Sequence, residues 1–312
     1  MAAKYTIADF NRDFTDEDTC LEYVKDMVYP DGIVCRACGI ERPHHRLAKR
    51  KAYSCDYCGT HVYPLAGTIF EKSTTSLKSW FYAMYLMGST RCGISAKQLE
   101  RELGVTYKTA WRIFTQIRKL MEEDGGILQG EVEIDETYVG GKPRMSERRK
   151  DEYGRTKKGP RTGEDKKIMV IGAVERGGSV RAQVIPNRKI KNVLPLVTQH
   201  VMPNATVFTD EAPSYQPLGA QGYVHNRINH SARVYVKGNV HTQTIEGFWS
   251  LLKNGIRGAH HAVGAAYLQS YVNEYTFRYN HRDDDRNMFH CIQERVSEVR
   301  HGRYGEYAPV GD

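Results

Sequence analysis

Cys35-Arg-Ala-Cys38 and Cys55-Asp-Tyr-Cys58 are two cysteine pairs with 16 residues between them. That spacing suits four thiolates placed tetrahedrally round one Zn²⁺ in a closed, structural site. Gly39 and Gly59 follow the second cysteine of each pair, where a knuckle needs a backbone with little steric restriction. Four buried or redox cysteines are the alternative reading. His44, His45 and His61 lie nearby, but Cys35, Cys38, Cys55 and Cys58 already complete a zinc shell. Cys20, Cys92 and Cys291 stand alone and read as packing residues. A ribbon over residues 1–70 is therefore expected, and by itself it does not say what the chain binds.

The 312 residues exceed what one ribbon needs and predict two or three units. Thr15 before Asp16, Glu17 and Asp18 reads as an N-cap, opening a helix that runs to about Met27. Residues 71–126 contain no proline and read as helical. Within them, Ser95–Leu103 and Tyr107–Met121 are separated only by Gly104-Val105-Thr106. This is a helix–turn–helix pattern, and Tyr107, Lys108, Thr109 and Arg112 fall early on its second helix, where recognition helices meet DNA. A plain helical pair would show the same apolar spacing.

Residues 130–283 alternate strand and helix patterns. Val132 and Ile134 alternate with Glu131, Glu133 and Asp135. Ile168–Val174 and Val180–Ile185 flank a hairpin turn at Glu175-Arg-Gly-Gly178. Short strands at Thr206–Thr209 and Tyr223–Ile228 are expected, with helices at Asn192–Val201, Thr244–Lys253 and Ala265–Tyr279. Residues 284–312 read as a polar tail.

The chain carries 45 Lys plus Arg against 37 Asp plus Glu, a net charge of 45 − 37 = +8. The excess is local. Residues 142–167 hold 11 basic and 5 acidic side chains, net +6, among them Lys142, Arg144, Arg148, Arg149, Lys157 and Lys158. Such a segment suits a loop or hairpin that holds DNA. The longest apolar stretch, Trp80 to Met87, is far short of the ~20 residues that cross a bilayer, and Lys4, Asp9 and Asp13 break any N-terminal leader. A cytoplasmic protein without a membrane partner is expected.

Three acids carry the chemistry. Asp135 ends a strand in Glu133-Ile-Asp-Glu-Thr-Tyr-Val-Gly-Gly141, Asp210 ends Thr206-Val-Phe-Thr209, and Glu246 lies near the start of a helix. Lys253 follows Glu246 by two helical turns and shares its face. Carboxylates so placed can bind two divalent ions ~4 Å apart, one activating the attacking oxygen and the other stabilising the leaving oxygen of a phosphodiester. Mg²⁺ is the hard cation expected, and Lys253 suits a phosphate. His241 reads as a loop histidine or a group near the scissile phosphate. Glu136 falls on the opposite strand face from Asp135. Tyr275, Arg278, Tyr279 and Arg282 either meet DNA or pack their helix.

At these residues the chain resembles the DDE transposases of bacterial insertion sequences, in the zinc-ribbon-bearing (ISXO-type) group. The resemblance covers about residues 15–283. It rests on the cysteine ribbon, Ala66-Gly-Thr-Ile-Phe-Glu-Lys72, Tyr107-Lys-Thr-Ala-Trp111, Ile134-Asp-Glu-Thr-Tyr-Val-Gly-Gly141, Thr209-Asp-Glu-Ala212 and Thr244-Ile-Glu-Gly-Phe-Trp-Ser-Leu-Leu-Lys253. It implies an α/β, RNase H-like mixed-sheet catalytic domain behind the ribbon and helical region. It also implies Mg²⁺ or Mn²⁺ dependence (two ions), and cleavage and joining of double-stranded DNA at element ends and target. By motif, Asp135, Asp210 and Glu246 match the metal-binding acids, and Lys253 matches the lysine after the third. The group varies at the third acid, sometimes using Asn or His; here it is Glu246. Members often carry Lys-Arg at the end of that helix, whereas Asn254 follows Lys253. Action on two DNA ends implies a homodimer or higher assembly. A purely hydrolytic RNase H-like nuclease, or a DNA-binding regulator derived from a transposase, are the competing readings.

Overall fold

A computed structural model describes residues 5–90, 92–123, 126–140, 153, 167–228, 241–284 and 287–298. The chain divides into two compact units, Met1–Met121 with His281–Asp312, and Glu122–Asn280. The ribbon, the helical region and the last stretch thus share one unit.

In that first unit, α1 (Ile7–Asp13) opens with a capping box in which Thr6 and Asp9 satisfy each other's backbone N–H. The helix α2 (Glu17–Val28) is capped by Asp16, whose carboxylate accepts from Thr19 N, and not by Thr15. Asp16 is the residue directly before the first turn, and its carboxylate takes the orphan donor three residues on. Three short antiparallel strands follow, β1 (His44–Arg46), β2 (Tyr53–Cys55) and β3 (His61–Val62). Then come α3 (Leu77–Ser89), α4 (Ala96–Leu103) and α5 (Tyr107–Leu120), capped by Ser76, Ser95 and Thr106 in turn. Gly104 ends α4 at φ +63°, a left-handed turn that a side chain resists.

The stretch read as a polar tail contains a helix with a buried apolar side. Met288–Glu298 form a helix, α9, that buries Phe289, Cys291, Ile292 and Val296. Its backbone lies against α3: a Cβ at Gly88 would stand 2.9 Å from Phe289 N. Phe289 also joins the ring cluster of Tyr5, Phe10, Phe14 and Tyr85.

The second unit is built on five strands: β4 (Glu131–Val139), β5 (Ile168–Glu175), β6 (Val180–Ile185), β7 (Thr206–Asp210) and β8 (Val224–Ile228). Their order in the sheet is β6-β5-β4-β7-β8. The first three pair antiparallel, and β7 and β8 run parallel to β4. This three-strand meander extended by two parallel strands is the RNase H-like arrangement, a mixed sheet in an α/β fold.

Alternation along β4 sends its residues to two cores. Val132 and Ile134 face the helix α6 (Ile190–His200) with Val193, Leu196, Val207 and Tyr215. Val139 faces α7 (Gln243–Gly255) and α8 (Leu268–Asn280) with Ile245, Phe248, Trp249, Leu252, Val272 and Tyr275. Gly255 sits where α7 meets α8, since a Cβ there would overlap the Tyr275 ring. Among the described residues, no helix is long and apolar enough to cross a membrane. Lys142, Arg144, Arg148, Arg149, Lys157 and Lys158 of the basic segment lie outside the described residues.

Candidate active site and metal centres

The two cysteine knuckles are built alike. Gly39 N donates to Cys35 O at 2.8 Å and Cys35 N to Ile40 O at 3.0 Å. Gly59 N donates to Cys55 O at 3.1 Å and Cys55 N to Thr60 O at 2.9 Å. Both glycines have positive φ, +72° and +70°. The four Sγ atoms lie within 4.8 Å of one another, and Cys35 and Cys58 approach to 3.5 Å. That donor set and spacing fit a tetrahedral zinc. Two basic residues of the ribbon are engaged: Arg46 pairs with Asp18 at 2.7 Å and Lys51 with Glu17 at 2.6 Å.

On α5, Tyr107, Lys108 and Arg112 are exposed near the helix start. Tyr107 stacks on Trp111, and Lys97 stands over the Tyr107 ring at 5.6 Å. Thr109 is turned back to the cap, its hydroxyl 3.1 Å from that of Thr106. Arg112 donates to Glu71 O at 2.9 Å, so part of its fork is occupied within the unit.

Asp210 ends β7, but Asp135 does not end its strand as the sequence suggested: it lies in the middle of β4, which stays paired with β5 through Val139. The parallel ladder between β4 and β7 runs to the pair Glu133–Phe208, and Asp135 and Asp210 each lie two residues beyond it. Alternation puts both on the α7 face of the sheet. Trp249, on α7, donates its indole N–H to Asp135 Oδ2 at 3.1 Å. The indole fits there because Asp135 is opposite Gly172 on β5, where a Cβ would stand 2.7 Å from Trp249 Cη2. Burial raises the Asp135 carboxyl to about 6; the charges of Glu136 and Asp210 add to the rise, and the Glu136 backbone N–H and the Trp249 indole oppose it. One turn after Trp249, Lys253 is half-buried; burial and Arg257 lower its pKa, while the charge of Asp135 raises it.

Glu133 was read as a simple alternation residue, but it anchors the site. Its side chain is fully buried, and it accepts from Thr244 N at 2.8 Å, Ile245 N at 3.0 Å and the Thr244 hydroxyl at 3.0 Å, holding the N-terminus of α7. Arg176 balances it at 2.7 Å, and His241 Nδ1 lies 3.3 Å away. His241 thus belongs to this anchor. Glu133 and Asp135, two apart on one strand face, pin α7 at its first turn and again at Trp249.

Glu136 points to the other face, as alternation requires, and pairs with Arg188. Arg188 Nε and Nη2 donate to its two oxygens at 2.8 and 2.5 Å. The same Nη2 donates to Asp210 Oδ2 at 2.7 Å, while Asp210 Oδ1 accepts from Ala212 N at 2.9 Å. Arg188 therefore spans the edge of the sheet. Nothing in the sequence marked it, because its partners are brought together only by strand register.

Glu246 is exposed on α7. Among the described residues its carboxylate does not close with Asp135 and Asp210 into one ligand cluster of the kind the cysteines form. Burial, with the charges of Glu136 and Asp210 added, lifts the pKa of Asp135, and a guanidinium stands as cation on Asp210; two carboxylates so placed are oxygen donors of the kind a hard divalent ion takes. On α8, Arg278 pairs with Glu274 at 2.9 Å, Tyr275 is buried, and Tyr279 packs on Phe248. These three side chains pack their helix.

Residues 127–280 match the ISXO2-like transposase domain, and residues 15–61 match the transposase zinc-ribbon domain. The chain belongs to the ISXO2-like transposase family. It is 28% identical over 276 residues to an uncharacterized protein in transposable element ISH50 of Halobacterium salinarum, covering 85% of this chain and 91% of that one. An uncharacterized transposase-like protein of Haemophilus influenzae is 27% identical over 100 residues, covering 32% of this chain and 80% of its own. A pre-cleavage Mos1 transpososome aligns at a TM-score of 0.29 and 12% identity, over 72% of this chain and 80% of that one. A likeness that weak adds nothing to the strand order. In this ISXO2-like chain the matched domain contains Asp135, Asp210, Glu246 and Lys253, and the matched ribbon contains all four cysteines.

Proposed function

We propose that the chain is an active insertion-sequence transposase that binds the double-stranded DNA ends of its element, cuts them and joins them to a target. The observation that carries this is the placement of Asp135 and Asp210 on adjacent parallel strands, each two residues past the last pair of their ladder, inside a domain of the transposase family.

Asp135, Asp210 and Glu246 would hold Mg²⁺ or Mn²⁺, which supplies activation of the attacking oxygen and stabilisation of the leaving oxygen. In support, Glu246 lies one turn before Trp249, the residue that touches Asp135, and i, i+3 residues share a helix face. Trp249 fixes the orientation of the Asp135 carboxylate, and Glu133 fixes the helix that bears Glu246 and Lys253. Lys253 is a point charge for a phosphate oxygen beside Asp135. Tyr107, Lys108, Thr109 and Arg112 contact end DNA from the second helix of the helix–turn–helix, and the basic residues of 142–167 hold it. Cys35, Cys38, Cys55 and Cys58 hold a structural Zn²⁺. Two ends must be processed together, so the working form is a homodimer or a larger assembly on DNA.

Incubating the purified protein with Mg²⁺, labelled element ends and a target plasmid tests the reading. Asp135→Asn, Asp210→Asn and Glu246→Gln each abolish joined product and leave end binding intact. Wild-type joining by all three variants overturns it, and cutting without joining by the native protein favours the hydrolytic nuclease.

A further inference from the structure

Arg188 enters the site from the segment between β6 and α6. That segment is fixed by Asn187, whose Oδ1 accepts from Lys189 N at 3.1 Å and from Asn192 Nδ2 at 2.7 Å. The guanidinium therefore arrives on a braced backbone and meets two carboxylates of unequal character. Glu136 is buried, its side chain 2% exposed, and it takes both prongs of the fork. Asp210 is 26% exposed and takes a single bond. Because Asp210 Oδ1 is already occupied by Ala212 N, the Arg188 bond covers the other oxygen, Oδ2.

We propose that Arg188 is the resident counter-cation of this carboxylate site: it occupies Asp210 Oδ2 until a divalent ion displaces it. The inference rests on the transposase reading of Asp135 and Asp210 given above. The two bonds differ in how readily they break. Separating Arg188 from Glu136 would leave a buried carboxylate unpaired, which is strongly unfavourable. Releasing Asp210 exposes only a partly solvated carboxylate that an ion of twice the charge can take over. After the exchange, Arg188 stays clamped on Glu136 beside the acids, and the Nη2 N–H released from Asp210 can donate to a DNA phosphate oxygen. Arg is the residue suited to this, since a lysine cannot grip Glu136 with two parallel bonds and still reach Asp210. The arrangement also keeps the acids from repelling one another before metal and DNA arrive. Arg188 is in this sense a positioning residue in the metal-free protein and a phosphate contact in the loaded one.

The test is Mn²⁺ binding to the zinc-loaded full-length chain without DNA, read by electron paramagnetic resonance of free Mn²⁺. Arg188→Gln removes the competing cation and is expected to bind Mn²⁺ about fivefold more tightly, the scale of one partly exposed ion pair. At saturating Mn²⁺ the same variant is expected to join ends more slowly, for want of the phosphate contact. Arg188→Lys, which keeps the charge without the fork, is expected to fall between the two in Mn²⁺ affinity. A damaged fold would weaken metal binding, so the sign separates this role from a merely structural one. Mn²⁺ affinity unchanged or weakened in both variants overturns the proposal. If Asp135→Asn and Asp210→Asn bind Mn²⁺ as the native chain does, the failure belongs to the metal-site reading instead.

Discussion

The indole nitrogen of Trp249 stands 3.1 Å from Oδ2 of Asp135, over the one position on β5, Gly172, that has no side chain to block it. A donor on α7 thus holds a carboxylate of β4. Removing the donor while keeping most of the ring volume, in Trp249→Phe, is expected to cost about 1 kcal/mol of stability, the net worth of one hydrogen bond. Strand joining is expected to fall much further than stability does. Denaturant unfolding and a joining assay on the same preparation check this, and parallel small losses in both would count against it.

Gly172→Ala approaches the same contact from the other side. Its new Cβ would lie 2.7 Å from Trp249 Cη2 and 3.1 Å from Ile245 Cδ1, so the helix or the indole must move. The expected loss is about 1–3 kcal/mol, typical of overpacking. An unfolding midpoint equal to that of the native chain would show that the indole does not rest on this glycine.

Glu133→Ala removes the acceptor at the start of α7 and leaves Arg176 half of its pairing. Breaking a buried pair of this kind costs about 3–5 kcal/mol. Hydrogen exchange is expected to show lost protection at Thr244 and Ile245, whose N–H groups Glu133 accepts. Retained protection at both would refute the capping role.

The ribbon is expected to hold one zinc per chain, measured by elemental analysis. Cys38→Ser or Cys58→Ser is expected to lose it, and a strong chelator is expected to melt β1, β2 and β3. Full zinc content in either serine variant would show that the site is not the one built by these four sulfurs.

His290 supplies a pH dependence. Burial lowers its pKa below the usual 6.5, with the charges of Glu294 and Asp13 opposing. The folded chain then binds fewer protons at His290 than the unfolded chain does, so this stability is present above pH 6.5 and shrinks as pH falls below it. Subtracting the profile of His290→Gln from that of the native chain isolates the contribution. A difference that grows on acidification instead would mean the wrong sign.

The β4 strand, its period of two and Asp210 at the end of β7 were legible in the residues, because alternation is a local signal; the run of β4 past Asp135 to Val139 was not. So were both knuckles, since Cys-x-x-Cys followed by glycine specifies a backbone turn. Glu133 was visible as a residue yet not as a cap: alternation assigns it a face but does not say that a helix N-terminus will land on it. Arg188 was not legible at all. Its bonds to Glu136 and Asp210 join three strands' worth of sequence, 52 and 22 residues away. The helix α9 was present in Phe289, Ile292 and Val296, spaced at three and four, but the surrounding polar residues masked it. The exposure of Glu246 could not be foreseen either, because helical spacing gives its face and not what the side chain closes on.

The helix α9 comes from residues 288–298, yet the surface it covers, on α2, α3 and α5, is complete by residue 120. On a ribosome emitting the chain in order, that surface waits through the synthesis of the whole intervening unit before its last helix emerges. A nascent chain truncated before Met288 would expose the Gly88 face of α3 and the Phe10 and Phe14 rings, a sticky surface that quality control can recognise. The placement of α9 therefore makes a chain that stops short self-marking: the first unit closes only after the acid-bearing strands have been made.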